Sequence, residues 1–199
     1  MKHILYLAGG SSRRFGANKL LHPLDGRPLY RHGLEMLARL VRARDDCTLT
    51  VVSRYDAVLA GARACGANAV YSPQSEKGKS YTIRAGLDAL QLQADDYIVF
   101  MAADQPYLTE KTMARLLDAA APGVHCARVC FGARPGSPAL FSASLAPALR
   151  ALRGDEGGRA LLMRPDCVLI PADAARELRD IDTPEQAHNA PRRTQKPGK

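Results

Sequence analysis

The sequence predicts a three-layer α/β/α fold built around a mostly parallel central sheet. Short apolar segments alternate with segments whose apolar residues recur at helical spacing, and the connections between them are short. This order is typical of α/β proteins, in which helices cover both faces of a sheet. No linker or repeat interrupts the first 190 residues, so we expect one domain over 1–190 and a basic, disordered tail over 191–199.

Six segments have the apolar composition of strands, and six have the periodicity of helices. Pro28 suits the first turn of its helix, where a missing N–H costs nothing, and Thr109 can cap the helix that follows it. Ligands of such sheets bind beyond the carboxyl ends of the strands, so the functional loops should share one edge. The predicted strands are residues 3–8, 48–53, 68–72, 97–103, 125–131 and 167–170. The predicted helices are residues 28–42, 56–65, 80–91, 109–120, 142–152 and 156–163.

Composition and charge exclude several classes of protein. The 199 residues are 46% hydrophobic and 24% charged, which is ordinary for a globular protein. No apolar run approaches the roughly 20 residues of a membrane span, and the first residues enter a strand rather than a signal peptide. The net charge of +8 includes a basic tail, but no aromatic-rich basic module is present, so no nucleic-acid or membrane partner is expected. The cations of the tail are Arg192, Arg193, Lys196 and Lys199.

The cysteines predict a cytoplasmic protein with reduced thiols. Their odd number and the lack of C-x-x-C pairs do not suggest a zinc site or a disulfide framework. We therefore expect all of them to be buried thiols in a reducing compartment. They are Cys47, Cys65, Cys126, Cys130 and Cys167.

A glycine-rich, basic loop follows the first predicted strand. Residues 7–19 contain the adjacent Gly9 and Gly10, then Arg13, Arg14 and Lys19. Glycines let the backbone turn sharply and approach a ligand, and exposed N–H groups beside fixed positive charges suit a polyphosphate. The spacing matches neither G-x-G-x-x-G nor G-x-x-x-x-G-K-[ST], which excludes two commoner phosphate loops. The alternative is a plain glycine turn with solvated basic residues.

Two carboxylates are candidates for holding a metal ion. Asp104 follows the apolar segment 97–103, and Asp182 precedes the predicted start of a final short helix at Thr183. A carboxylate at the mouth of a central strand can hold Mg²⁺ against a nucleotide phosphate. The alternative for each is a helix N-cap or turn aspartate. Asp180 is a weaker candidate than Asp182.

Several segments resemble those of one known family. The first loop is similar to its L-A-G-G-x-S-x-R-x-G-x-x-K signature, and Asp104-Gln105-Pro106 is similar to its D-x-P metal motif. Residues 24–29 and 78–87 resemble its L-x-G-[KR]-P-L and G-x-x-x-S-[LI]-R-x-G-L segments. Over residues 3–188 the chain thus resembles the nucleotidyltransferases related to the molybdenum cofactor guanylyl- and cytidylyltransferases. Residues 134–141 and 152–162 resemble the cytidylyltransferase branch.

This resemblance implies a Rossmann-like nucleotidyltransferase fold and an enzyme. The implied reaction moves a cytidylyl group from CTP to the terminal phosphate of molybdenum cofactor (molybdopterin), releases pyrophosphate and uses Mg²⁺. The implied partners are CTP or another NTP, a molybdopterin-type phosphorylated acceptor, and a molybdoenzyme or its chaperone. Two departures concern the substrate. The Gly9-Gly10 pair is more usual in the guanylyl branch, and Ser137 stands where the cytidylyl branch usually has histidine.

The expected chemistry needs charge stabilisation rather than a protein nucleophile, because the attacking phosphate is already ionised. We expect Arg14, Lys19 and Asp104 to be catalytic, and Asp104 and Asp182 to hold Mg²⁺. Ser80 should reach the base or ribose, or else cap its helix. The expected nucleotide-binding residues are Leu7, Ala8, Gly9, Gly10, Ser11, Ser12, Arg14, Lys19 and Ser80.

Asp155 and Arg159 lie four residues apart, so we expect them to pair on one helical face. The alternative is that they bind the acceptor substrate.

Other functions stay open at this point. The same chemistry could serve a guanylyltransferase or a transfer to another phosphorylated acceptor. A non-catalytic protein that delivers a cofactor could keep the same residues. An NAD-dependent oxidoreductase is disfavoured, because G-x-G-x-x-G is absent and the second predicted strand ends at Ser53-Arg54 without an acid for a ribose.

Overall fold

A seven-stranded sheet forms the centre of the computed structural model, which describes residues 1–10, 15–16 and 18–188. The described residues form nine strands, of which β2 and β3 lie outside this sheet. They are β1 (Lys2–Ala8), β2 (Pro23–Leu24), β3 (Arg27–Pro28), β4 (Cys47–Ser53), β5 (Asn68–Tyr71), β6 (Tyr97–Ala102), β7 (Cys126–Phe131), β8 (Arg134–Ser142) and β9 (Val168–Pro171). The helices are α1 (Leu29–Arg42), α2 (Asp56–Ala64), α3 (Lys79–Asp88), α4 (Glu110–Asp118), α5 (Ala146–Arg150) and α6 (Pro184–His188).

The strand order in this sheet is β5-β4-β1-β6-β8-β7-β9. Strand β1 pairs in parallel with β4 and β6, so that Lys2 lies level with both Cys47 and Tyr97. Strand β8 runs antiparallel to its neighbours β6 and β7, whereas β9 is parallel to β7. The sheet is therefore mostly parallel, as predicted.

Apolar side chains of β1 alternate between the two faces of the sheet, as the pleat of a strand requires. Ile4 and Tyr6 join a core cluster with residues of α1 and α4, including Leu37 and Met113. Leu5 joins a second cluster with residues of α3 and α5. Helices thus cover both faces, which confirms the three-layer architecture.

The remaining strands β2 and β3 form a separate two-stranded hairpin. Its turn residues Asp25 and Gly26 have φ values of 47° and 79°. Positive φ at both central positions is typical of the tight hairpin turns that favour an Asp-Gly pair. The hairpin leads directly into α1, where Pro28 is the N-cap residue.

The six predicted strands are confirmed, but the region after β7 differs from the prediction. Residues 134–142 form the antiparallel strand β8, which was not predicted. Pro135, Gly136 and Pro138 argued against a strand there, because proline and glycine are rare inside strands. The helix predicted over 156–163 is only a 3₁₀ turn at Ala160–Leu162. The glycines at 154, 157 and 158 explain the error, because glycine disfavours helix by about 1 kcal/mol per residue.

One further expectation, the burial of all five cysteines, is modified. Cys65 and Cys167 are partly exposed, whereas the other cysteines are buried, and all five are free thiols. Within the described part of the chain, no helix is long and apolar enough to cross a membrane. Residues 189–199 lie outside the described residues, so the tail expected over 191–199 and the single domain expected over 1–190 stay predictions.

Candidate active site

A cavity of about 470 Å³ lies at the carboxyl edge of the parallel strands. The end of β1 contributes Leu7 and Gly9, and the end of β6 contributes Ala102 and Asp104. The loop after β1 and the loop after β6 therefore share one edge, as the parallel arrangement led us to expect. Ligands of open α/β sheets bind at this kind of edge.

Lys19 joins the two predicted metal ligands. Its Nζ lies 2.7 Å from Asp104 Oδ2 and 2.9 Å from Asp182 Oδ1. The three side chains are 12%, 21% and 30% exposed, in that order, so these ion pairs are only partly solvated. Burial by itself lowers the pKa of Lys19, but the two carboxylates outweigh it and hold the pKa above its ordinary value. Lys19 is therefore a permanent cation at neutral pH.

A backbone contact brings the C-terminal segment to the end of β6. The Ile181 N–H donates to the Asp104 carbonyl oxygen at 3.0 Å, and the Ile181 side chain is fully buried. Ile181 packs in a small cluster that includes Phe15 and Tyr107. This anchor places Asp182 beside Asp104 although the two residues are far apart in sequence.

Neither Asp104 nor Asp182 is a helix cap. Thr183 caps α6, since its hydroxyl accepts from Gln186 N at 3.3 Å. Gln186 Oε1 in turn accepts from the backbone N–H groups of Asp182 and Thr183. Asp104 lies between β6 and the following loop, well before α4, and its side chain contacts Lys19. The N-cap alternative is therefore wrong for both acids, but Asp104 does lie in a turn at residues 103–104, so its metal role stays a prediction.

Asp180 is a further acid of the same cavity. Burial, and then the negative charge of Asp104, raise the pKa of Asp180 to about 6, although a hydrogen bond from Gln105 opposes the shift. Gln105 is itself buried and lines the cavity. The sequence ranked Asp180 below Asp182, but the structure brings both to the site.

The donor set is compatible with Mg²⁺. Carboxylate oxygens are the hard ligands that this ion prefers, and it is usually held by one or two carboxylates together with substrate phosphates. Asp104 Oδ1 is buried and has no hydrogen-bond partner among the described residues, so it is an acceptor that a cation could satisfy. In the same described ranges, no group of three or more His, Cys, Asp or Glu side chains is arranged to hold a metal ion.

Gly9 is required by close packing. A Cβ on Gly9 would lie 2.5 Å from Ser75 Oγ and 2.6 Å from Thr82 Oγ1. Those two hydroxyls are hydrogen-bonded to each other at 2.8 Å, which fixes the wall that Gly9 meets. A Cβ on Gly10 would meet nothing within 4 Å. Neither glycine has the positive φ expected for a sharp glycine turn, so Gly9 serves close approach and not unusual backbone conformation.

A contact between two loops builds a further part of the cavity lining. Gly78 has φ of 137°, and a Cβ there would collide with the Gly154 carbonyl. The Ser80 N–H donates to that same carbonyl at 3.0 Å. This contact holds the start of α3 against the turn at 154–155, and it brings Lys79 and Asp155 to the cavity.

Ser80 does not line the cavity. Its side chain is buried, and Ser80 Oγ has no hydrogen-bond partner in the described parts of the chain. The N-cap of α3 is Gly78, so the capping alternative for Ser80 is wrong. Asp155 lies in a turn, so its pairing with Arg159 on a helical face does not arise.

The other predicted residues fall into three groups. Leu7, Gly9, Gly10, Lys19, Asp104 and Asp182 line the cavity. Ala8 is buried in β1 and does not line it. Ser11, Ser12, Arg13 and Arg14 lie outside the described residues.

Sequence reasoning missed several residues of the site, chiefly in the segment after β5, where only Ser80 was assigned a role. This segment supplies Ser75, Lys77, Lys79 and Thr82 to the cavity. It follows the carboxyl end of a parallel strand, as the other functional loops do. Applying the same strand-end rule to β5 would have identified it.

Comparisons with known proteins identify related sequences over almost the whole chain. Residues 4–185 match the family model described as the MobA-like NTP transferase domain. Purine catabolism protein PucB of Bacillus subtilis (strain 168) is 32% identical over 193 residues, which are 92% of this chain and 92% of that protein. Molybdenum cofactor guanylyltransferase of Rhodobacter capsulatus is 29% identical over 94% of this chain and 93% of its own length.

A solved structure shows the same fold. The crystal structure of Rv0371c from Mycobacterium tuberculosis H37Rv has a TM-score of 0.76 with this chain at 25% identity. The match covers 94% of this chain and 96% of that one. These similarities confirm the family resemblance and the fold class that the sequence predicts.

Proposed function

Because the chain belongs to the MobA-like NTP transferase family, we propose that it transfers a cytidylyl group from CTP to the terminal phosphate of a molybdopterin-type cofactor. In this reaction an acceptor phosphate oxygen forms a bond to the α-phosphorus of CTP. The bond from that phosphorus to the bridging oxygen of the β-phosphate breaks, and pyrophosphate leaves. The observation that carries the proposal is the contact of Lys19 with Asp104 and Asp182 at the edge of the cavity.

The chain's own groups have defined tasks in this reaction. Lys19 stabilises charge on the triphosphate and on the departing pyrophosphate. The backbone at Gly9 and Gly10 gives the phosphates room, since no side chain projects from it. Arg14, outside the described residues, is proposed to add a second cation. A protein base is not needed, because the attacking phosphate is already ionised.

Asp104 and Asp182 are the residues that would hold Mg²⁺. When bound, this ion would neutralise negative charge on phosphate oxygens of the nucleotide. The contact between Ile181 and Asp104 fixes the positions of the two acids relative to each other.

The choice of CTP rests on the segments 134–141 and 152–162, which resemble the cytidylyltransferase branch. Ser137 and Asp155, one from each segment, line the cavity. A guanylyltransferase is the second candidate. It is favoured by the Gly9-Gly10 pair and by the similarity to the Rhodobacter capsulatus protein.

We also propose that the product is passed in the cytoplasm to a molybdoenzyme or its chaperone. A protein that only binds and delivers the cofactor would use the same cavity without turnover, so the test must separate binding from chemistry.

The test is a matrix of nucleotides and acceptors. Pyrophosphate release and product mass are measured with CTP, GTP, ATP or UTP, each with and without molybdopterin and with and without Mg²⁺. We expect release with CTP, molybdopterin and Mg²⁺ together, and a product heavier than the acceptor by one cytidylyl group. Selectivity for GTP would establish the second candidate. Nucleotide binding without any pyrophosphate would establish the delivery function instead.

A further inference from the structure

The Lys19 head group contacts one carboxylate oxygen of each candidate metal ligand, which leaves Asp104 Oδ1 without a partner in the described residues. Lys19 Nζ contacts Asp104 Oδ2 at 2.7 Å and Asp182 Oδ1 at 2.9 Å, one oxygen of each candidate ligand. An ammonium ion and a divalent cation cannot both lie between these two oxygens, since each needs direct contact and the cations repel each other.

The backbone at Lys19 is anchored, but its side chain has room to change direction. Asn18 Oδ1 accepts from Leu20 N at 3.1 Å and caps the 3₁₀ turn at Lys19–Leu21. Leu20 is buried, which fixes this turn against the core. The four-carbon stem of a lysine can carry its head group to another partner while the Cα stays in place. Lys19 lines the same cavity as Gly9 and Gly10, where we place the triphosphate.

The carboxylates of the cavity are stabilised by a neighbouring positive charge whether or not a ligand is bound. Asp104, Asp180 and Asp182 line one cavity, and the like charges repel one another unless a positive charge lies between them. Either Lys19 or a metal ion can meet this need. Releasing Lys19 costs its ion pairs with Asp104 and Asp182, unless another anion accepts the ammonium ion.

We infer that Lys19 and the divalent cation exchange at Asp104 and Asp182, and that the nucleotide drives the exchange by taking Lys19 onto its phosphates. The metal ion alone therefore binds weakly, because it must expel Lys19 from the carboxylates. With a triphosphate present, Lys19 moves to the phosphates and the oxygens become available. This inference rests on the proposed metal-dependent function, and it adds a thermodynamic coupling between the two ligands.

The test measures Mn²⁺ binding without nucleotide and without turnover, by electron paramagnetic resonance of free Mn²⁺. We expect Lys19→Met to bind Mn²⁺ about tenfold more tightly than the native protein, within the usual range of coupling between sites. A catalytic lysine with no such exchange would leave the affinity for Mn²⁺ alone unchanged or weaker.

Lys79→Met is the matched control. Lys79 lines the same cavity, and no ion pair joins it to Asp104 or Asp182. This variant removes the same charge without freeing the two oxygens, so its Mn²⁺ affinity should change much less than that of Lys19→Met. Equal gains in the two variants would mean a general effect of charge and would overturn the inference.

Thermal unfolding supplies a second measurement. Lys19→Met should melt below the native protein, because Asp104 and Asp182 lose their ion pairs with Lys19, and Mn²⁺ should raise its melting temperature more than that of the native protein. Lys19→Gln replaces it if the methionine variant does not fold. An unchanged Mn²⁺ response in a folded Lys19 variant would refute the exchange. The nucleotide-by-acceptor matrix on native protein separately decides the proposed function.

Discussion

Lys19 and Asp104 are 85 residues apart in sequence, yet their charged groups lie 2.7 Å apart. Lys19 comes from the loop after β1, and Asp104 from the loop after β6, the parallel neighbour of β1. Parallel pairing alone brings these two loops to one edge. The contact therefore follows from the topology of the sheet, and it places a lysine and a carboxylate where a nucleotide and its metal ion can meet.

Removing either charge of this pair should slow nucleotidyl transfer strongly. Lys19→Ala or Asp104→Asn should lower kcat/KM about a hundredfold or more, because each loses charge stabilisation worth several kcal/mol. Steady-state pyrophosphate release provides the measurement. Lys2→Ala is a suitable control, since Lys2 pairs with Asp46 at the opposite end of β1. Near-normal turnover in Lys19→Ala would refute the role of this pair.

Gly9→Ala should destabilise the protein, because its Cβ would lie 2.5 Å from both Ser75 Cβ and Ser75 Oγ. Forcing extra atoms into a packed region typically costs about 1–3 kcal/mol. Gly10→Ala is the matched comparison, since its Cβ would meet no atom, and it should change the free energy of unfolding by less than about 0.5 kcal/mol. Urea denaturation of both variants gives the comparison. Equal free energies of unfolding for the two variants would show that Ser75 and Thr82 move aside for the added Cβ at little cost.

Glu177→Gln should weaken the junction between α4 and the 3₁₀ turn at Ala175–Leu178. Glu177 is buried, and its carboxylate accepts from the Thr109 hydroxyl at 2.7 Å and from the N–H groups of Thr109, Asp173 and Ala174. The loss should be about 1–3 kcal/mol in the free energy of unfolding at neutral pH.

The same glutamate gives a pH dependence with a definite sign. Burial by itself raises the pKa of Glu177, but hydrogen bonds from Thr109, Thr112 and the backbone outweigh it and hold the pKa below its ordinary value. Because the folded-state pKa is the lower one, this stabilisation is complete above the unfolded-state pKa of about 4.3. It is lost as pH falls through the folded-state pKa. The stability difference between native protein and Glu177→Gln should therefore shrink below about pH 4, and a difference that grows there would contradict the sign.

Much of the site was predictable because it depends on strand order and strand ends. The alternation of apolar segments predicts a parallel sheet, and the parallel sheet brings Gly9, Lys19 and Asp104 to one edge. Asp182 was identified because it precedes Thr183, where the final helix was predicted to start. Thr183 is indeed the N-cap of that helix. These residues depend on local patterns and on one topological rule.

The rest depends on contacts between loops, which no local pattern records. Asp155 reaches the cavity because the Gly154 carbonyl accepts from Ser80 N, a pairing across 74 residues of sequence. Asp180 joins the site through the anchor at Ile181, whose burial is a property of the assembled core. Strand β8 was missed because Pro135, Gly136 and Pro138 are unusual strand residues, and its neighbours in the sheet override that local preference.

The most direct measurement is the position of a bound metal ion beside a nucleotide. Crystals grown with Mn²⁺ and a non-hydrolysable CTP analogue would locate the ion by its anomalous scattering. We predict a peak that touches both Asp104 and Asp182, with Lys19 Nζ moved onto the phosphates. A peak away from both carboxylates, or Lys19 still bound to the two acids beside a bound nucleotide, would contradict the account.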